Sequence, residues 1–204
     1  GMVVIGDLAS RASHPGVRRL LERLQWPVYA DITSGFRMGD TTGLVIAGAD
    51  LLMMHPDFPK DHVPEVVLHL GGRLVSKQVQ HFLQHDKVSH YVLISDYGAR
   101  QDPEHRVSER IEGNVDHVCF AVSDNLSLVS GDAWLKRWQN EAAKATACLE
   151  DFTRDTKRLS EPLVVRLISK MLPADHGLFL GNSMPVRSMN SFADETGPAV
   201  YVEA

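Results

Sequence analysis

The residues best suited to chemistry gather in Gly181-Asn182-Ser183-Met184-Pro185-Val186-Arg187. The segment reads as a glycine turn and short polar side chains leading into a helix, with Pro185 as its first residue and Leu178-Phe179-Leu180 as the strand before it. Ser183 and Arg187 stand four apart, so both can face one side of the first turn. Backbone N–H groups and a fork-shaped guanidinium meet there, which suits a carboxylate or a phosphate. Ligands of open α/β sheets bind beyond the carboxyl ends of the strands, and this turn has that position. The same residues also fit a plain N-cap serine followed by a surface arginine.

Other clusters carry less. Gly71-Gly72-Arg73-Leu74-Val75-Ser76-Lys77 offers an anion cradle before a helix capped by Ser76. It misses the P-loop spacing, which sets Gly directly before Lys, and the same residues make a structural turn with a solvated lysine. The turn Gly6-Asp7-Leu8-Ala9-Ser10-Arg11 has one glycine and an aspartate where a dinucleotide fingerprint needs a glycine series. His81 and His85 are four apart, as zinc ligands on one helix face would be, yet no Glu lies between them. They read as a polar face near a helix C-terminus. Asp102-Pro103-Glu104-His105-Arg106 reads as a turn with locally paired charges. Cys119 sits in the apolar run 118–122 as an inert core thiol, and Cys148 falls in a long helix with no nearby His.

The elements that position these residues alternate short apolar runs with helical stretches, an α/β pattern with a mostly parallel sheet. Strands are expected at 2–6, 28–30, 66–70 and 91–94, with a short one near Arg110-Ile111. Val17, Leu20, Leu21 and Leu24 recur at helical spacing behind Pro15. The block 44–54 is interrupted by Gly48 and is not one clean helix, and Pro56, Pro59 and Pro64 mark a loop. A helix is expected over 132–157, with Leu135, Trp138, Ala142, Ala145, Leu149 and Phe152 as a narrow apolar seam. Ser160-Glu161-Pro162 then opens a helix that Pro173 stops, and a last strand covers 199–202. The reading is a Rossmann-like layer over 1–155 and an incomplete second α/β unit over 156–204, whose strands pair with each other or with another edge.

The chain has 204 residues, 44% hydrophobic and 23% charged, which is ordinary globular composition. With 21 Lys and Arg against 26 Asp and Glu, the net charge is −5 and there is no basic run, which argues against nucleic acid as a partner. The two cysteines are too few for a disulfide framework or a Cys-based zinc site and fit a reducing compartment. No apolar run approaches the ~18 residues of a membrane span. The chain opens directly in a strand, as a piece of a longer protein would.

The turn resembles the F-x-G-N-S-M-P-x-R segment of the 2-succinyl-5-enolpyruvyl-6-hydroxy-3-cyclohexene-1-carboxylate synthases, thiamine-diphosphate enzymes of menaquinone and phylloquinone biosynthesis. Weaker segments agree in order: Trp26-Pro27, Ala30-Asp31, Ser34-Gly35-x-Arg37, Leu70-Gly71, Ser76-Lys77 and Asp102-Pro103-x-His105. The resemblance implies a central Rossmann-like domain over 1–155 and the truncated start of the diphosphate-binding domain over 156–204. It implies decarboxylation of 2-oxoglutarate and addition of the resulting carbanion equivalent to isochorismate, with thiamine diphosphate and Mg2+ as cofactors. Asn182, Ser183 and Arg187 then take substrate, and Gly181, Asn182 and Ser183 lie against cofactor. The full-length enzyme would be a homo-oligomer of the cytoplasm, or of the plastid in a photosynthetic eukaryote.

Two departures qualify the resemblance. The family usually has aspartates where this sequence has Ser188 and Asn190. Its magnesium–diphosphate motif pairs Gly-Asp with a later Asn, and Gly6-Asp7, Gly39-Asp40 and Gly131-Asp132 have no such partner. The 204 residues alone are therefore expected neither to bind the cofactor tightly nor to turn over. Competing readings are a freestanding Rossmann-like module for a nucleotide or carboxylate, and a piece of another thiamine enzyme such as an acetohydroxyacid synthase relative.

Overall fold

A computed structural model of the chain describes residues 1–8, 13–40, 42–98, 102, 104–127, 132–154, 156, 158–174, 176–198 and 201–204. Ala9, Ser10, Arg11, Pro103, Gly131, Lys157 and Ala199, named above, lie outside the described residues. The first half runs β1 (Met2–Ile5), α1 (Pro15–Leu24), β2 (Val28–Ala30), a 3-10 turn at Ile32–Ser34, α2 (Ala49–Met54), α3 (Phe58–His62), β3 (Val66–Leu70) and α4 (Lys77–Leu83). Then follow β4 (His90–Ser95), β5 (Glu109–Glu112), α5 (Val115–Asp124), α6 (Asp132–Arg154), α7 (Glu161–Met171), β6 (Gly177–Phe179), α8 (Met184–Phe192) and β7 (Tyr201–Glu203).

The five strands β1–β5 form one parallel sheet in the order β2-β1-β3-β4-β5. All four residues of β1 are fully buried, which is why this interior strand reads as an unbroken apolar run. The chain moves one way from β1 to β2 and the other way from β3 to β4. Right-handed crossovers then put α1 and α4 on opposite faces. On one face α1 packs against α5, and on the other α2 contacts α3, α4 and α6. The expected α/β class with a mostly parallel sheet and flanking helices is the observed one, and every strand pair is parallel among the described residues.

Several local expectations are corrected. The proline-marked loop holds the short helix α3, because Pro59 falls in its first turn, where no amide is needed. The α6 seam packs only in its first half: Leu135, Trp138 and Ala142 are buried, whereas Phe152 is 59% exposed. Ser160 precedes α7 but its side chain makes no cap bond. Pro185 is the second residue of α8, which starts at Met184. His85 lies beyond the end of α4, so it and His81 do not share a helix face.

The second unit pairs β6 with β7 in parallel, Leu178 opposite Val202. Two strands are marginal alone. Their small core takes Ile32 and Met38 from the first unit, with Val75 beside them, to cover Val165, Val186, Met189 and Val202. Helix α8 and strand β7 therefore pack on the segment that follows β2, and the turn expected to do chemistry leads into that helix.

Candidate functional site

The site begins with a strained corner. Gly181, Asn182 and Ser183 bridge β6 and α8, and all are exposed. Ser183 has φ 76° and ψ −122°, a conformation L-residues rarely adopt. It occupies the N-cap position, yet its hydroxyl accepts no helix amide, so the plain reading as a capping serine is corrected. Arg187 is also exposed and has no ion pair among the described residues. Exposed Ser183, Met184 and Arg187 thus bring a hydroxyl, the first residue of α8 and a guanidinium to one stretch of surface, and among the described residues neither the hydroxyl nor the guanidinium has a bonded partner.

What holds this edge in place is buried. Val186 and Met189 face the small core, while Ser188 and Asn190, at the positions where the family usually has aspartates, are 2% and 1% exposed. The Asn190 side chain accepts from the Ile32 amide at 3.0 Å and donates to the Tyr29 hydroxyl at 3.0 Å. The Ile32 N–H can only donate, which settles which end of the Asn190 amide is oxygen. Arg37, 1% exposed, donates to the Asn190 carbonyl at 3.1 Å and pairs with Glu195 at 2.9 Å. Ser191 donates to the buried Asp50 carboxylate, whose other oxygen accepts from Ser76, the N-cap of α4.

Burial sets the charge states here. It pushes the Tyr29 hydroxyl well above its ordinary pKa, with Asp31 and Asp50 adding to the effect, so Tyr29 is neutral. It raises the Asp31 carboxyl too, against amides donated by Thr33 and Val75. Glu195 is raised by burial, and the Arg37 guanidinium pulls the other way. Sequence reasoning missed Tyr29, Asp50, Asn190 and Glu195, and it placed Arg37 only through the resemblance. Their partners lie up to 161 positions away, so local pattern carries no sign of them. The one local signal is an arginine flanked by Phe36 and Met38, both of which are buried.

The other sequence candidates resolve into structure. The 71–77 cradle is filled by backbone: Gly72 N–H donates to the Asp7 carbonyl at 2.6 Å and Asp7 N–H to the Arg73 carbonyl at 3.2 Å. Gly71 has φ 87°, and a Cβ there would collide with the Asp7 carbonyl. Ser76 does cap α4, accepting from Val79 N–H at 3.1 Å. A cavity of about 630 Å3 opens beside β3 and β4, lined by His69, Arg73, Tyr91, Asp102 and Arg106 among others. His69 is wholly committed there, with Nδ1 2.9 Å from the Tyr91 hydroxyl and Nε2 3.0 Å from the Gly72 carbonyl. A carbonyl can only accept, so Nε2 carries the proton and Nδ1 accepts. Cys119 is fully buried, and burial pushes its thiol up to about 12, which confirms a core role.

A thiamine diphosphate would find at 181–183 exposed backbone and a helix start, one edge of an anion site. Among the described residues, no three His, Cys, Asp or Glu side chains come together to hold a metal ion. No helix among the described residues is long and apolar enough to cross a membrane.

A synthase of Rubrobacter xylanophilus, named 2-succinyl-5-enolpyruvyl-6-hydroxy-3-cyclohexene-1-carboxylate synthase, is 37% identical over all 204 residues, which cover 36% of its own length. Synthases of the same name from Salinibacter ruber and Myxococcus xanthus are 31% and 34% identical over 97% and 87% of the chain, covering 34% and 30% of theirs. The chain spans about a third of the length of these relatives. The family described as the middle domain of thiamine pyrophosphate matches residues 1–180, and the chain belongs to that family.

Proposed function

We propose that the chain is part of a thiamine-diphosphate-dependent synthase that joins a decarboxylated 2-oxoglutarate unit to isochorismate. In this reading residues 1–155 are its central domain and 156–204 open its diphosphate-binding domain. The cofactor, held with Mg2+, supplies the electron sink for a carbanion. The chain's own part is to present Asn182, Ser183 and Arg187 to substrate carboxylates and Gly181, Asn182 and Ser183 to the cofactor. Arg187 suits this because both substrates carry more than one carboxylate and a guanidinium binds a carboxylate through two parallel hydrogen bonds. The observation that carries the proposal is the Rubrobacter synthase match, which runs past residue 180 through the strained turn.

The test is turnover by the longer protein containing this chain, with 2-oxoglutarate and isochorismate as substrates. Wild type is expected to form the coupled product, and Arg187→Ala to lose about a hundredfold in kcat/KM. Absence of product from wild type overturns the reaction, and an unchanged Arg187→Ala overturns the role of that residue.

A further inference from the structure

Helix α8 carries Arg187 on an exposed edge, and two kinds of contact set its orientation. Val186 and Met189 pack into the small core shared with Ile32 and Met38. Burying Val186 and Met189 sets which face of α8 points inward, but apolar contact is non-directional and fixes the rotation only coarsely. Hydrogen bonds set it more finely: Ser191 donates to the Asp50 carboxylate, and Asn190 holds two partners at once. Its amide is clamped between the Ile32 N–H and the Tyr29 hydroxyl, each at 3.0 Å, and hydrogen bonds of that length weaken steeply when turned. Its main-chain carbonyl meanwhile accepts from Arg37 at 3.1 Å. Asn190 is three residues beyond Arg187, the spacing of neighbours on a helix surface. A rotation that released the amide would therefore swing the guanidinium.

We propose that Asn190 is a positioning residue that sets the rotation of α8, and with it the aim of Arg187 at a substrate carboxylate. This rests on the proposed role of Arg187. The clamp reads the end of β2 and the turn after it, so the arginine of the second unit is aimed by the sheet of the first. A loss of aim of about 1 Å is enough to lower an enzyme's rate severely.

The test is a double-mutant cycle of Asn190→Ala and Arg187→Ala in the longer protein, with Asn190→Asp as the conservative variant. Asn190→Ala is expected to raise KM for one carboxylate substrate about tenfold while the thiamine diphosphate requirement stays unchanged. Asn190→Asp is expected to recover most of that loss, because a carboxylate still accepts from Ile32 and the Tyr29 hydroxyl can turn to donate. In the Arg187→Ala background the Asn190→Ala effect is expected to vanish, since the two residues act as one unit. A merely structural role would lower the active fraction without moving KM and would add to the Arg187→Ala loss. That additivity, or an unchanged KM in Asn190→Ala, overturns the proposal. An Arg187→Ala protein with wild-type KM values overturns instead the reading on which it rests.

Discussion

Arg37 and Glu195, 158 positions apart, meet at 2.9 Å with the arginine side chain 1% and the glutamate 15% exposed. Two charges removed from water in this way are held by their neighbours: Arg37 also donates to the Asn190 carbonyl, and Glu195 accepts from the Gly48 amide at 3.3 Å. The pair bolts the loop after α8 to the loop after β2. Arg37→Ala leaves Glu195 buried without its counter-charge and is expected to cost about 3–5 kcal/mol, read by urea denaturation of the 204-residue chain. A loss within about 0.5 kcal/mol would match an exposed surface pair and contradict this geometry.

His69 makes stability depend on pH. Burial lowers its pKa from the ordinary 6.5 to about 4 in the folded chain. The unfolded chain takes up the proton first, so stability is present above pH 6.5 and is lost as pH falls toward 4. Between pH 7 and pH 5 this residue alone is expected to remove about 2 kcal/mol. His69→Gln removes that contribution, so the stability difference between wild type and variant should narrow by this amount across the same range. A difference that is constant with pH contradicts the buried neutral imidazole.

The two cysteines should separate cleanly in a thiol-labelling time course. Cys119 is buried with its thiol raised to about 12, whereas Cys148 is exposed on α6. One thiol per chain is expected to react quickly in the native state, and Cys148→Ser should abolish that phase. Fast labelling that survives Cys148→Ser would show that the α5 core is open.

Gly16 and Asp116 join α1 to α5. The Asp116 carboxylate accepts from Gly16 N–H at 2.7 Å and Val17 N–H at 3.0 Å, capping α1 where the side chain of the N-cap residue His14 makes no cap bond. A Cβ at position 16 would collide with the Asp116 carbonyl. Gly16→Ala is expected to cost about 1–3 kcal/mol by overpacking, and Asp116→Ala about 1–2 kcal/mol by uncapping. Equal thermal midpoints for wild type and Gly16→Ala would contradict so close an approach.

The parts of the fold legible from sequence are those whose cause is local. The runs at 2–6, 66–70 and 91–94 read as strands because parallel strands covered on both faces are mostly apolar, and the observed strands fall within a residue of those bounds. Ser76 reads as a cap because capping reaches three residues. What was not legible depends on distant partners. Asn190 looks like any helical polar residue until Tyr29 and Ile32 surround it. The α6 seam is regular to Phe152, yet only the helices packed against it, α2, α3 and α4, decide how much of it is covered. At the candidate site the residue types at 181–187 were legible, whereas the strained φ of Ser183 was not, since glycine is the residue expected there.

The most direct test of the central assignment is calorimetric titration of the 204-residue chain with thiamine diphosphate and Mg2+, beside the longer protein. If residues 181–187 form one edge of a site completed elsewhere, the longer protein binds and the 204-residue chain shows no heat in the micromolar range. Micromolar, magnesium-dependent binding by the 204-residue chain alone would contradict that assignment.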